Sequence, residues 1–229
     1  MASELHMSLI GSRLFAVTRL LKDVKDNTLF ADIGSDHAFL AIEVLKNRLA
    51  SSAVASDINE QPLLKGKENA ARSGVRMDFY LSDGFDAIDH LPITSAAICG
   101  MGGELIARII DRSTVARKAV LIVQPMSAQE ELRKYLWDNG FSIDTEVFTY
   151  EAGKSYTVMK VRFIGERSEY SYLDLYLGKE RLPSREFSLY CEKILTAAKK
   201  RRLGFVARGE DTLNIDGLIE FCQTQTTSL

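Results

Sequence analysis

Two periods of apolar residues alternate along this chain. From Leu9 to Val24 the apolar positions Leu9, Ile10, Leu14, Val17, Leu20, Leu21 and Val24 recur at helical spacing. A short apolar run, Leu29–Ile33, then reads as a strand, and a helix follows over Phe39–Asn47 with Leu40, Val44 and Leu45 facing inward. The alternation continues with a strand at Ser52–Ala55, a helix at Gln61–Arg72 stopped by Gly74, and a strand at Arg76–Leu81. Next come a strand at Ser95–Cys99, a helix opened by Gly102-Gly103 and running through Ile110, a strand at Ala119–Val123 closed by Pro125, and a helix at Glu130–Asn139. Phe141–Tyr150 and Tyr156–Ile164 flank a short Gly-Lys turn and predict a hairpin. Repeated strand–helix units predict an α/β fold with a parallel, doubly wound sheet and helices on both faces, and the hairpin makes its last strands antiparallel.

After Gly165 the pattern changes. Phe187, Cys191, Ile194, Ala198 and Phe205 follow a 4,3 spacing with Arg201 in one seam position, which predicts a coiled-coil-like helix folding back through Leu213–Phe221. Gly204 and Gly209 argue against one straight helix. Residues 7–165 thus form one expected domain and residues 166–229 a small helical one.

Composition narrows the class. With 229 residues, 46% hydrophobic and 26% charged, the chain reads as an ordinary globular protein able to bury a core without staples. Cys99, Cys191 and Cys222 are odd in number and form no CxxC pair, so neither a disulfide framework nor a metal site is expected, and reduced thiols fit a cytoplasmic location. No apolar run approaches the ~20 residues of a membrane span. MASELHM reads as a leader ahead of a native start at Met7. A monomer is the default. Net charge is only −2, but Arg167–Glu210 holds ten Lys/Arg against six Asp/Glu, a distribution that permits a polyanionic partner.

The candidate chemistry gathers at the strand ends. In Asp32-Ile33-Gly34-Ser35-Asp36-His37, Gly34 permits a sharp turn close to a ligand, and Asp57 ends the second strand 25 residues after Asp32. A carboxylate at that place suits a ribose diol, so a nucleoside-bearing cofactor is expected. A dinucleotide fingerprint needs three glycines; here Asp36 occupies the place of the second and would repel a pyrophosphate. It would attract an α-ammonium group, as on the methionine end of S-adenosylmethionine. The bland alternatives are that Asp36 and Asp57 cap the helices that follow them. His37 is a candidate base or a hydrogen-bonding residue of the turn. Ile58 and Asn59 accompany Asp57, and Ser82-Asp83-Gly84 supplies an acid able to accept from an adenine amino group.

Cys99-Gly100-Met101-Gly102-Gly103 predicts a loop where backbone lies against a flat ligand, with Gln124-Pro125-Met126 at the same sheet edge. Gly100, Met101 and Gly102 are assigned to the cofactor side; Gly103, Gln124, Pro125 and Met126 to the substrate side. Lys199-Lys200-Arg201-Arg202 is either a phosphate-binding run or a solvated helix face.

Taken together, ADIGSDHAFL (31–40), SDIN with Pro62, SDG (82–84), CGMGGELI (99–106), LIVQP (121–125), NGF (139–141) and EAGKSY (151–156) resemble the bacterial tRNA (adenine(22)-N1)-methyltransferases. A doubly wound sheet closed by a hairpin is also more like the Rossmann-like methyltransferases than the dehydrogenases. The resemblance implies a Rossmann-like S-adenosylmethionine domain, a coiled-coil-like tail that binds tRNA, and methylation of adenine N1 at position 22 in the D-arm region. Asp36 and His37 are the catalytic candidates under that reading. The chain departs from the family pattern at Gln61 (usually Gly), Met126 (usually Asn) and Thr157 (usually Glu). A thioether at 126 cannot replace both the donor and the acceptor of an amide. A small-molecule methyltransferase and a non-catalytic cofactor- or RNA-binding homologue are the alternatives.

Overall fold

The computed structural model describes residues 2–226, with side chains from residue 11 onward. The expected leader at residues 1–6 and the apolar positions Leu9 and Ile10 lie outside the described side chains. Helix α1 spans Ala2–Leu21 and bends at Gly11 (φ 78°, ψ 156°). The elements that follow are β1 (Leu29–Ile33), α2 (Phe39–Lys46), β2 (Ser52–Asp57), α3 (Glu60–Arg72), β3 (Asp78–Leu81), β4 (Ser95–Gly102) and α4 (Gly103–Asp111). The sheet is completed by β5 (Val120–Ser127), α5 (Gln129–Asp138), β6 (Phe141–Glu151) and β7 (Lys154–Phe163). The seven strands lie in the order β3-β2-β1-β4-β5-β7-β6, parallel except for β7, which runs antiparallel to both β5 and β6.

Strand alternation explains why helices cover both faces. Along β1, Phe30 packs with α1 and α2, whereas Ala31 and Ile33 pack toward α4. Ala97 and Ile122 join the first face; Ala96, Ile98, Leu121 and Val123 join the second. A period of two in a strand buried on both sides sends successive residues into two separate cores. Val17, Leu20 and Leu21 of α1 and Leu40, Ala41 and Val44 of α2 fill one core; Ile106, Ile109 and Ile110 of α4 and Leu132 and Leu136 of α5 fill the other.

Three boundaries differ from the sequence expectation. β4 continues through the expected Gly-rich loop to Gly102, with register shifts on either side of Met101. β5 likewise passes Pro125, which is opposite Met101, and ends at Ser127. The irregular register tolerates a proline that has no N–H to give to the ladder. A short helix, α6 (Tyr172–Leu177), stands where no element is expected; Ser171 and Asp174 close a reciprocal capping box at its start.

The tail is a helical hairpin, α7 (Arg185–Arg208) and α8 (Leu213–Thr226). Gly204 is accommodated inside α7, while Gly209 ends it in the left-handed conformation. Phe187, Tyr190, Cys191, Ile194 and Ala198 of α7 bury against Ile215, Leu218 and Cys222 of α8 and Leu177 of α6. Phe148 of β6 joins this core, its ring 5.0 Å from Phe187 and 4.8 Å from Tyr190. A buried ion pair reinforces the contact: Arg133 of α5 donates to Glu146 of β6 at 2.6 Å, to the Leu175 carbonyl at 2.6 Å and to the Tyr190 hydroxyl at 3.3 Å. Thr157 of β7, fully buried, donates its hydroxyl to Glu146 as well. Among the described residues no helix is long and apolar enough to cross a membrane.

Candidate functional site

The loop after β1 is built on three alternate residues with positive φ, Gly34 (69°), Asp36 (49°) and Ala38 (57°). The amides of Gly34 and Ser35 both donate to the Ser56 carbonyl, at 2.8 and 3.0 Å, which ties the loop to the end of β2. A side chain at Gly34 would collide with the ε-methyl of Met101. The two Gly-containing motifs therefore interlock: the Met of the second fills the space left empty by the glycine of the first. Gly103, expected beside a substrate, is instead buried, because any side chain there would collide with the Ala128 carbonyl at the start of α5. Its place is in the packing of α4 against the start of α5.

Asp57 does not cap α3; the cap position is Asn59, whose side chain makes no capping bond. One oxygen of Asp57 accepts from the Asn59 amide at 2.9 Å and the other from the Asp36 amide at 3.3 Å. The first oxygen also meets the Asn59 side-chain amide at 3.5 Å, and the second keeps a further acceptor site. Nor does Asp36 cap α2, whose cap is Ala38; its carboxylate is 73% exposed and lies 3.6 Å from His37 Nδ1. Ile58 is exposed beside Asp57.

Asp32, Gly34, Ser35, Asp36, His37, Gly100 and Gln124, all expected in the site, line one cavity of about 180 Å³ at the carboxyl edge of the sheet. Two polar atoms on its wall, Ser35 Oγ and His37 Nδ1, are buried without a hydrogen-bond partner. Asp32 is 4% exposed and accepts only a 3.2 Å bond from the Ala41 amide. Burial, with a smaller contribution from the charge of Asp57, pushes its carboxyl up to about 7 despite that bond. Acids and orphaned polar atoms in one cavity suit a cationic, polar ligand; Asp57 is not part of that lining and joins it through the Asp36 amide.

The remaining expected residues divide. Ser82 donates to the Gly84 carbonyl at 3.0 Å and accepts from Ala87 at 3.0 Å, shaping the turn after β3. Asp83 is paired with Arg112 at 3.0 Å, so an adenine amino group would share that carboxylate with a guanidinium. Gln124, expected on the substrate side, is 2% exposed; it accepts from the Gly100 amide at 3.2 Å and donates to the Pro125 carbonyl at 3.0 Å, which makes it a brace. Pro125 is buried too, and Met126 alone of the three reaches the surface, 39% exposed. Gly102 lies at the end of β4 next to Ser127. Two further cavities meet at Met126. One, of about 270 Å³, lies between α5 and the tail and includes Tyr172, Tyr176 and Arg201. The other, of about 510 Å³, runs between the β6–β7 turn and α7 and includes Tyr150, Lys154 and Tyr156.

The basic run separates into two pairs. Arg201 contacts the Tyr176 hydroxyl of α6 and reaches Glu130 of α5, tying the tail to the sheet domain, while Arg202 pairs with Asp216 inside the tail. Lys199 and Lys200 are exposed. Thr157, one of the three departures, belongs to the Arg133–Glu146 cluster and not to the cofactor cavity. One residue of the cavity wall carries no local sequence signal at all: Arg13 of α1. Its Nε donates to Glu151 at 3.1 Å, its guanidinium lies over the Tyr156 ring at 4.8 Å, and Nη1 is 3.5 Å from the Met126 sulfur.

A model of the methyltransferase domain matches residues 10–159. The tRNA (adenine(22)-N(1))-methyltransferase of Bacillus subtilis is 31% identical over 159 residues, 68% of this chain and 67% of that protein. A crystal structure of the Bacillus subtilis m1A22 tRNA methyltransferase superposes with a TM-score of 0.73 at 26% identity, covering 94% of this chain and 95% of that one. A candidate tRNA (m1A22) methyltransferase from Streptococcus pneumoniae, solved in complex with S-adenosyl-L-methionine, superposes with a TM-score of 0.77 at 26% identity, covering 95% and 99%. The strand order, the acid-lined cavity and these likenesses lead to one conclusion: the chain belongs to the bacterial tRNA (adenine(22)-N1)-methyltransferase family.

Proposed function

We propose that the protein transfers the methyl group of S-adenosylmethionine to N1 of adenine 22 in tRNA, in the cytoplasm. The observation that carries this reading is the acid-lined cavity with its unpartnered Ser35 Oγ and His37 Nδ1; Gln124 on its wall lies 3.6 Å from the sulfur of Met126, which lines two cavities beside the tail.

The cofactor, when bound, supplies an electrophilic methyl group on a sulfonium. Asp57 holds the ribose hydroxyls, Asp36 faces the α-ammonium, and Gln124 fixes the Gly100 backbone beside the reacting centre. Adenine N1 carries no proton, so attack by its lone pair needs no base, and neither Asp36 nor His37 is required to move one. The chain's work is to hold a nucleotide turned out of its stack, in line with the methyl group, and to exclude water. Tyr150, 43% exposed, offers a face for the base, and Lys154, Lys199 and Lys200 favour the phosphate backbone. Asp36 is the candidate carboxylate for stabilising the methylated, cationic base. Incubating unmodified tRNA with the protein and S-adenosylmethionine, then digesting to nucleosides for mass spectrometry, yields 1-methyladenosine under this reading. Its absence, with cofactor binding intact, overturns the activity.

A further inference from the structure

The cofactor reading leaves one charge unassigned. The methionine end of S-adenosylmethionine is a zwitterion, and a carboxylate enters the cavity along with the ammonium. Asp32 and Asp36 on its wall repel that carboxylate. Arg13 is the one lysine or arginine among the described residues that line the cavity. It comes from α1, outside all the motifs at the strand ends.

We propose that Arg13 is the ligand for the cofactor's α-carboxylate and that Glu151 is the residue that positions it. The guanidinium is already fixed. Glu151 accepts from Arg13 Nε at 3.1 Å, from the Arg13 amide at 3.0 Å and from Ser12 Oγ at 3.1 Å, and Tyr156 lies under the guanidinium plane at 4.8 Å. These bonds outweigh the effect of burial and hold the Glu151 carboxyl below its usual range, so it stays ionised as the partner of Arg13. A guanidinium has five N–H donors; Nε is committed to Glu151, and Nη1 meets only the Met126 sulfur, a weak acceptor, at 3.5 Å. The rest form a rigid fork matched to a carboxylate, which an ammonium in that place could not reproduce. The acids at the loop after β1 and the arginine of α1 then read the two opposite charges of the amino acid. The hairpin turn that carries Glu151 and Tyr156 also borders the cavity expected to admit the nucleotide, so the same clamp ties cofactor orientation to the substrate side.

The inference rests on the cofactor reading, and a pair of probes separates the two. S-adenosylhomocysteine carries the amino-acid end; 5′-methylthioadenosine has the same nucleoside and thioether without it. Calorimetry on the full chain should show S-adenosylhomocysteine bound more tightly than 5′-methylthioadenosine. Arg13→Met should weaken S-adenosylhomocysteine by about 30-fold or more while 5′-methylthioadenosine changes by less than about threefold, and Glu151→Gln should give a smaller loss of the same selectivity. Arg13→Lys should recover only part of the loss. Equal weakening of both ligands by Arg13→Met, or of neither, overturns the inference, because a mere latch between α1 and the hairpin would not distinguish them. If Arg13→Met fails to fold, Arg13→Lys and Glu151→Gln give the same comparison, and an unchanged ratio in both overturns it. Binding of neither probe by the wild-type protein removes the cofactor reading, and this inference with it.

Discussion

Arg133→Met is expected to be among the most damaging single changes in the chain, although Arg133 does not line the cofactor cavity. The Arg133 and Glu146 side chains are 0% and 2% exposed. Arg133 reaches both oxygens of Glu146, at 2.6 to 3.2 Å, and also the Leu175 carbonyl and the Tyr190 hydroxyl. Removing the guanidinium leaves Glu146 with the Thr157 hydroxyl in place of its counter-charge, and strands the Leu175 carbonyl. Breaking one side of a buried pair costs about 3–5 kcal/mol. With a urea m value of about 2–3 kcal/mol/M for a chain of this size, the unfolding midpoint should drop by roughly 1.5 M. Arg133→Met/Glu146→Gln removes both charges and should recover most of the loss, since replacing a whole buried pair is often neutral. Circular dichroism in urea at pH 7.5 gives both midpoints, and S-adenosylhomocysteine affinity should stay within about twofold of wild type. A single-variant cost below about 1 kcal/mol, or a double variant no more stable than the single, would refute the claim that this pair locks the tail to the sheet.

Three further outcomes follow from the site. Asp32 has a carboxyl near 7 in the fold against an ordinary 3.8, so the native state binds more protons than the unfolded chain between those values. Stability should therefore fall by about 2–3 kcal/mol from pH 5 to pH 8, and Asp32→Asn should flatten that slope in urea titrations; parallel slopes would contradict the assignment. Gly34→Ala should cost about 1–2 kcal/mol from its left-handed backbone alone and lower S-adenosylhomocysteine affinity about tenfold by displacing Met101. Adding Met101→Ala should restore part of the affinity and little of the stability, and unchanged S-adenosylhomocysteine affinity in Gly34→Ala would refute the interlock. Lys199→Glu/Lys200→Glu should weaken tRNA binding about tenfold at low salt in filter assays, with cofactor affinity unchanged; unchanged tRNA binding would remove the tail lysines from the interface.

The strand–helix alternation was legible because Phe30, Ala31 and Ile33, or Leu121, Ile122 and Val123, are apolar on both faces, as a parallel strand buried on two sides requires. Asp32, Gly34 and Asp57 were legible for a related reason: they sit at strand ends, where local spacing reports position. What failed to show was whatever depended on distant partners. Arg13 meets Glu151 across 138 positions, and nothing in the helical pattern around Leu14 and Val17 marks it. Arg133 looks like an ordinary polar residue of α5 until Glu146 and Tyr190 close over it. Gln124 has the residue type of a base reader, yet the bulged pairing beyond Cys99 turns it inward onto Gly100. Arg202 lies in an apparently free basic run whose partner, Asp216, arrives only when α8 folds back. The short helix α6 was detectable in principle, since Ser171 and Asp174 carry the spacing of a capping box.

An acidic, glycine-poor nucleoside site at the edge of the sheet should prefer an amino-acid-bearing thioether to a diphosphate. Titrating the wild-type protein calorimetrically with S-adenosylhomocysteine and, separately, with NAD tests it most directly. One S-adenosylhomocysteine should bind per chain with a Kd of roughly micromolar order, and NAD should give no heat at about a hundredfold higher concentration. Comparable binding of NAD, or S-adenosylhomocysteine affinity unaffected by Asp57→Asn, would contradict it.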